Sequence, residues 1–179
     1  GGAYHSGVLA ALAQTGWDAR SAAIIQGTSV GAITAASLSA GMPPADMRRR
    51  HLGEPLSAEA AALLARISSR TRESTAEITS SLRPASPELL TSMVRKPTEF
   101  HPGKLAAAAL PDGRMSTESI ARSMDQLCGG VWPSSRLRIT AVRLSDGATE
   151  VFGRPGNALP PIGLAVAASC AIPGYFAPV

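Results

Sequence analysis

The stretch AAIIQGTSVGAITAA, residues 22–36, decides how the fold is read. Its opening, Ala22 to Gln26, is short, apolar and isoleucine-bearing, which predicts a buried strand. From Gly31 to Ala40 the side chains are mostly small and helix-forming, which predicts a helix. The five residues between these elements, Gly27, Thr28, Ser29, Val30 and Gly31, must turn the chain sharply and leave one serine at the apex. A residue at such an apex sits on strained backbone, and the segments on either side approach closely, so side chains at Gly27 and Gly31 are expected to collide. The following helix aims its free N–H groups and the positive end of its dipole at the serine, where negative charge would be stabilised. Ser29 is therefore a candidate nucleophile. The competing reading is a structural turn with a capping serine, and only the wider context weighs against it.

Outward from this stretch, Gly7 to Gln14 reads as a helix with Val8, Leu9 and Leu12 on one side. After the helix ending near Ala40, Gly41, Pro43 and Pro44 close the unit. Ala45 to His51 reads as a short basic helix, and Ser57 to Ile67 as another with Ser57 as N-cap. Residues 68–87 are polar and rich in serine and threonine, the composition of a mobile cover or surface linker. Helices are expected again over 87–94 and 116–127. The period then changes: LRITAVRL, 137–144, alternates, SDGA turns, and TEVFG, 149–153, returns. An Asp-Gly pair between alternating runs is a strong hairpin signal. Between Pro155 and Val179 there is no charged residue, but five prolines break the run, so it reads as a loop and a buried helix near 162–171 rather than a membrane span. Strands separated by helices, with the serine at the carboxyl end of one strand, predict an α/β architecture.

The 179 residues suit a single domain with a core of Ala, Leu, Val and Ile, since aromatics make up only 4%. The chain opens within a glycine pair and ends inside an apolar segment, so it reads as a domain incomplete at both ends. Cys128 and Cys170 lack paired spacing and read as free thiols of a reducing compartment, favouring a cytoplasmic or peripheral membrane location. His5, His51 and His101 are too scattered for a metal cluster and read as surface or helix-packing residues. The net charge of +4 is carried almost wholly by arginine, densest at MRRRH, 47–51. Without interleaved aromatics or a reading helix, nucleic acid is a poor partner. An anionic membrane surface fits better, beside the plain alternative of a solvated arginine face.

Three blocks, GGAYHSGVLAAL at 1–12, GTSVGAITAA at 27–36 and AASCAIPGYFAPV at 167–179, together resemble the patatin-like phospholipases. The resemblance spans nearly the whole chain and includes the hairpin. It implies a three-layer fold with a mainly parallel central sheet flanked by helices, and a lipid acyl hydrolase with a Ser–Asp dyad, no catalytic histidine and no cofactor. The family's nucleophile falls on Ser29. Its oxyanion hole, built from a glycine-rich loop before the first helix and the amide after the nucleophile, falls on Gly1, Gly2 and Val30. Gly1 matches either a hole glycine or the position the family usually fills with Arg or Lys. The family's aspartate lies in an Asp-Gly-Gly or Asp-Gly-Ala motif shortly after the third block, and so is expected beyond Val179. Without it, residues 1–179 alone are expected to be inactive. Asp146-Gly147-Ala148 spells the same letters upstream, where a hairpin turn accounts for them. Two other readings stay open at this point: a Ser–His–Asp esterase, which needs a late histidine, and a lipid-binding domain without turnover.

Overall fold

The computed structural model describes residues 1–67, 86, 91, 110, 113, 115–157 and 159–179. Among the described residues the α-helices are α1 (Gly2–Gln14), α2 (Val30–Ser39), α3 (Pro44–Leu52), α4 (Ala58–Leu64), α5 (Glu118–Cys128) and α6 (Ile162–Cys170). The strands are β1 (Ile25–Thr28), β2 (Leu137–Val142) and β3 (Thr149–Phe152). The fold is α/β. Among the described residues the sheet is small and mixed, in the order β1-β2-β3. β1 runs parallel to β2, with Ile25 opposite Leu137 and Thr28 opposite Thr140. β2 and β3 form the antiparallel hairpin foreseen from Asp146-Gly147, with Ile139 opposite Phe152.

The parallel pair joins residues more than a hundred positions apart, and its buried side explains why it forms. Leu137 and Ile139 are fully buried and alternate with partly covered Arg138 and Thr140, so one face of β2 is core. Against that face pack α2 and α6, whose Ala32, Ala36, Ile162, Ala165 and Val166 are almost wholly enclosed. These small side chains let the helices approach the sheet closely, and a core poor in aromatics is filled this way. The α5–α6 contact is tighter still: a Cβ on Gly163 would overlap the Ala121 carbonyl, and the Gly163 N–H donates to the Asp125 carboxylate at 2.8 Å. Among the described residues the far edge of β1 is unpaired, and it borders a groove of about 360 Å³ lined by Tyr4, Val8, Trp17, Ile24 and Gln26.

Several expected boundaries move. β1 begins at Ile25 rather than Ala22, because Asp18 caps a 3-10 turn over Ala19–Ser21 and the Arg136 guanidinium binds the Ala22 and Arg20 carbonyls. The chain before Ile25 therefore satisfies its acceptors with a side chain rather than a neighbouring strand. α1 begins at Gly2, five residues earlier than expected, so Gly1 is its N-cap and accepts the His5 N–H at 3.2 Å. Its buried residues are Ser6 and Ala10, one turn apart, whereas Val8 and Leu12 are substantially exposed. Small residues on the inner side let α1 lie close to α3, its main partner. β2 stops at Val142 because Arg143 and Ala148 close the turn, the Arg143 N–H donating to the Ala148 carbonyl. The Ser57 cap holds as expected, its hydroxyl accepting the Ala60 N–H at 3.2 Å. The polar segment 68–87, apart from Ser86, and the helix expected over 87–94, apart from Thr91, lie outside the described residues.

Candidate active site

Ser29 stands where β1 ends and α2 begins, with φ 55° and ψ −126°. Among the described residues it is the only non-glycine residue with positive φ. An L-residue is held there only when its surroundings over-determine it. Gly27 is one such determinant: a Cβ at this position would overlap the Gly31 carbonyl and lie 2.6 Å from Ala32 N. Gly31 is different from what its symmetric spacing suggests. A Cβ there would meet nothing closer than the His5 ring at 3.9 Å, an ordinary contact. The crowding is one-sided because Gly27 is still in the strand and faces the first turn of α2, whereas Gly31 already lies in that turn and faces outward to α1.

Two consecutive residues at the end of α6 grip Ser29. The Ser29 N–H donates to Ser169 Oγ at 2.8 Å, and Ser169 Oγ donates in turn to the Thr140 carbonyl at 2.6 Å. The Ser29 side chain lies beside the Cys170 thiol. Burial pushes the Cys170 thiol up from its usual range, with the neighbouring Ser29 hydroxyl as a smaller opposing effect, so at neutral pH Cys170 is a neutral thiol. Ser169 and Cys170 were not foreseen as site residues; they stand in the third sequence block, but no local pattern shows that α6 returns to the elbow.

The N-termini of α1 and α2 converge on Val30. A Cβ on Gly1 would lie 3.3 Å from Val30 Cγ1, and one on Gly2 3.4 Å from Val30 Cγ2. Gly1 and Gly2 are thus beside the elbow, as the N-cap and first residue of α1. Among the described residues no acceptor takes the Val30 or Gly31 N–H, because Ala32 N–H is the first in α2 to bond back, to the Ser29 carbonyl at 2.8 Å. Two amides and the helix dipole therefore face the space beside Ser29 unclaimed.

The remaining expected residues fall as follows. Asp146 sits in the hairpin turn, one carboxylate oxygen accepting the Ala148 N–H at 2.9 Å and the other bonded to Arg143 at 3.1 Å. It makes no hydrogen bond with Ser29 among the described residues. His5 faces Gly31, the His51 ring lies 3.6 Å from a Cβ on Gly2, and His101 is outside the described residues. Cys128 and Cys170 are both free and buried, and burial, reinforced by the Asp125 carboxylate, pushes the Cys128 thiol up to about 11. Among the described residues no group of acidic, histidine or cysteine side chains could hold a metal ion, and no helix is long and apolar enough to cross a membrane.

A strand, a strained serine, a helix N-terminus with amides unclaimed among the described residues and an α/β core share the geometry of a nucleophile elbow. The model of one family, Patatin-like phospholipase, matches residues 1–179, the full length given, and the chain belongs to that family. Membership supports lipid hydrolysis as the general activity. No curated protein and no solved structure matches the chain.

Proposed function

We propose that this protein hydrolyses the acyl ester bonds of lipids, phospholipids included, with Ser29 as nucleophile and an aspartate as its base. The observation that carries the reading is Ser29 in a disfavoured backbone conformation beside Val30 and Gly31 amides that no acceptor takes among the described residues. A serine hydroxyl attacks an ester only while a base removes its proton. In this reading a partly buried carboxylate, its pKa raised toward the working pH, takes the Ser29 proton as Oγ bonds to the acyl carbon. The carbonyl oxygen becomes an oxyanion held by the Val30 N–H and by the amides at the start of α1, Gly1 and Gly2. Each such donor is worth on the order of 3 kcal/mol of transition-state stabilisation. The intermediate collapses, the carboxylic acid returns the proton to the leaving alcohol, and water repeats the sequence on the acyl-serine. No cofactor enters.

Asp146 is committed to its turn contacts, so the base is assigned to a carboxylate other than Asp146. The three-layer architecture with a mainly parallel sheet, in a single domain, is the frame this reading calls for. The parallel β1–β2 pair with Ser29 at its carboxyl end supports it. Substrate is presented at a lipid surface, and the exposed Arg50 in the basic run 47–51 is the candidate contact for anionic headgroups. Its neighbours spend part of their charge internally, Arg49 on Asp46 at 3.1 Å and Arg48 on Glu54 at 3.7 Å.

In the full-length protein, Ser29→Ala should abolish hydrolysis of a p-nitrophenyl ester and of phospholipid vesicles while the circular dichroism spectrum is unchanged. Unaltered turnover refutes the assignment. His5→Gln and His51→Gln should each keep turnover within about tenfold of wild type, whereas loss of a triad histidine would cost about four orders of magnitude.

A further inference from the structure

The β1–β2 ladder contains a rung in which a side chain stands in for a direct backbone bond. Ile25 N–H donates to the Arg136 carbonyl at 3.0 Å. In a parallel pair the same bond recurs every second residue on each strand, so four residues further on the Ser29 N–H should meet the Thr140 carbonyl. The direct bond is absent there, because the chain leaves the sheet at Ser29 to enter α2. Ser169 Oγ fills the gap, accepting from Ser29 N–H at 2.8 Å and donating to Thr140 O at 2.6 Å.

We propose that Ser169 is a positioning residue for Ser29: its hydroxyl completes the last rung of the β1–β2 ladder and so holds the elbow in its strained, reactive conformation. Three consequences follow from the geometry. The bridge satisfies a donor and an acceptor that would otherwise be orphaned at the point where the sheet ends. It ties the apex to the end of α6, so the position of Ser29 depends on how α6 packs over β2. It also occupies the Ser29 amide, leaving the oxyanion to the Val30 side of the elbow. No other side chain among the described residues bridges β1 and β2 through the backbone in this way. The inference deepens the hydrolase reading and rests on it for its catalytic half.

The test compares Ser169→Ala with Ser169→Thr, which keeps the hydroxyl, in the full-length protein. Ester hydrolysis and native-state exchange of the Ser29 amide are read in parallel. Ser169→Ala should fold, lose about tenfold to a hundredfold in kcat with KM nearly unchanged, and exchange its Ser29 amide about tenfold faster. Ser169→Thr should recover both. A folded Ser169→Ala protein with wild-type kcat overturns the positioning role. If the wild-type protein itself hydrolyses no ester, the proposed activity fails on its own and amide exchange decides the bridge. Faster exchange in Ser169→Ala, reversed in Ser169→Thr, then upholds it, and unchanged exchange overturns it.

Discussion

Backbone strain at Ser29 can be measured by replacing the serine in two ways. Its φ of 55° and ψ of −126° lie outside the wells open to an L-residue, a conformation that costs on the order of 1–3 kcal/mol. Ser29→Ala and Ser29→Gly both delete the hydroxyl and its contact with Cys170, and both keep the N–H that donates to Ser169. Neither loses a helix cap, because the Ser29 side chain makes no capping bond to α2. Those contributions cancel in the comparison. What differs is the Cβ. Alanine retains the strain, whereas glycine releases it and adds roughly 0.5–1 kcal/mol of backbone entropy to be lost on folding. The glycine variant should therefore be more stable than the alanine variant by up to about 2.5 kcal/mol, or up to roughly 10 °C in Tm for a domain of this size. Urea unfolding followed by far-ultraviolet circular dichroism, with equal m values for the two variants, reads the difference directly. A glycine variant less stable than the alanine variant by the full entropy cost of about 0.5–1 kcal/mol would show that Ser29 stores no strain, and the elbow would lose its energetic basis.

The two elbow glycines should respond unequally. Gly27→Ala drives a methyl group into the Gly31 carbonyl and should lower stability by at least about 2–3 kcal/mol, whereas Gly31→Ala should stay within about 1 kcal/mol of wild type, and thermal unfolding of both checks this. Asp46, 2% exposed, accepts from Ser57 N–H at 2.9 Å, Ser57 Oγ at 2.6 Å and Arg49 at 3.1 Å. Burial alone would raise its pKa, but the Ser57 hydrogen bonds and Arg49 together outweigh this and hold it below the usual carboxylate value. A depressed folded-state pKa contributes stability above the unfolded value near 3.8, and that stability is lost as pH falls through the lower folded value. Asp46→Asn should therefore be less stable than wild type by about 1.5–3 kcal/mol at pH 7, with the gap closing below about pH 4. A gap independent of pH between 7 and 3 would remove the charge from the explanation.

Much of this was legible locally. The serine apex needs only the apolar run before it, the helix formers after it and Gly27, because close approach of strand and helix tolerates no side chain at that one position. The hairpin followed from Asp146-Gly147 between alternating residues, and the turn does bind the Asp146 carboxylate to its own backbone. The Ser57 cap was readable because a capping hydroxyl acts within three residues of chain. Identical logic applied to Gly31 was wrong, since symmetric spacing in sequence is not symmetric crowding in space.

By itself, then, the sequence determined the elements whose cause is local: turn chemistry, caps, period, and the identity of the residue at the apex. Only the tertiary structure decided what surrounds that residue. The edge of α1 that is buried was set by its approach to α3, so Ser6 and Ala10 face inward and not Val8 and Leu12. Strand β1 starts at Ile25 because Arg136, more than a hundred residues away, occupies the carbonyls before it. The grip of Ser169 and Cys170 on Ser29 exists because α6 packs on β2 and brings its last turn to the end of the ladder. Such contacts arise from the summed burial of Leu137, Ile139, Ile162 and Val166, a property of the whole core that no window of neighbouring residues contains.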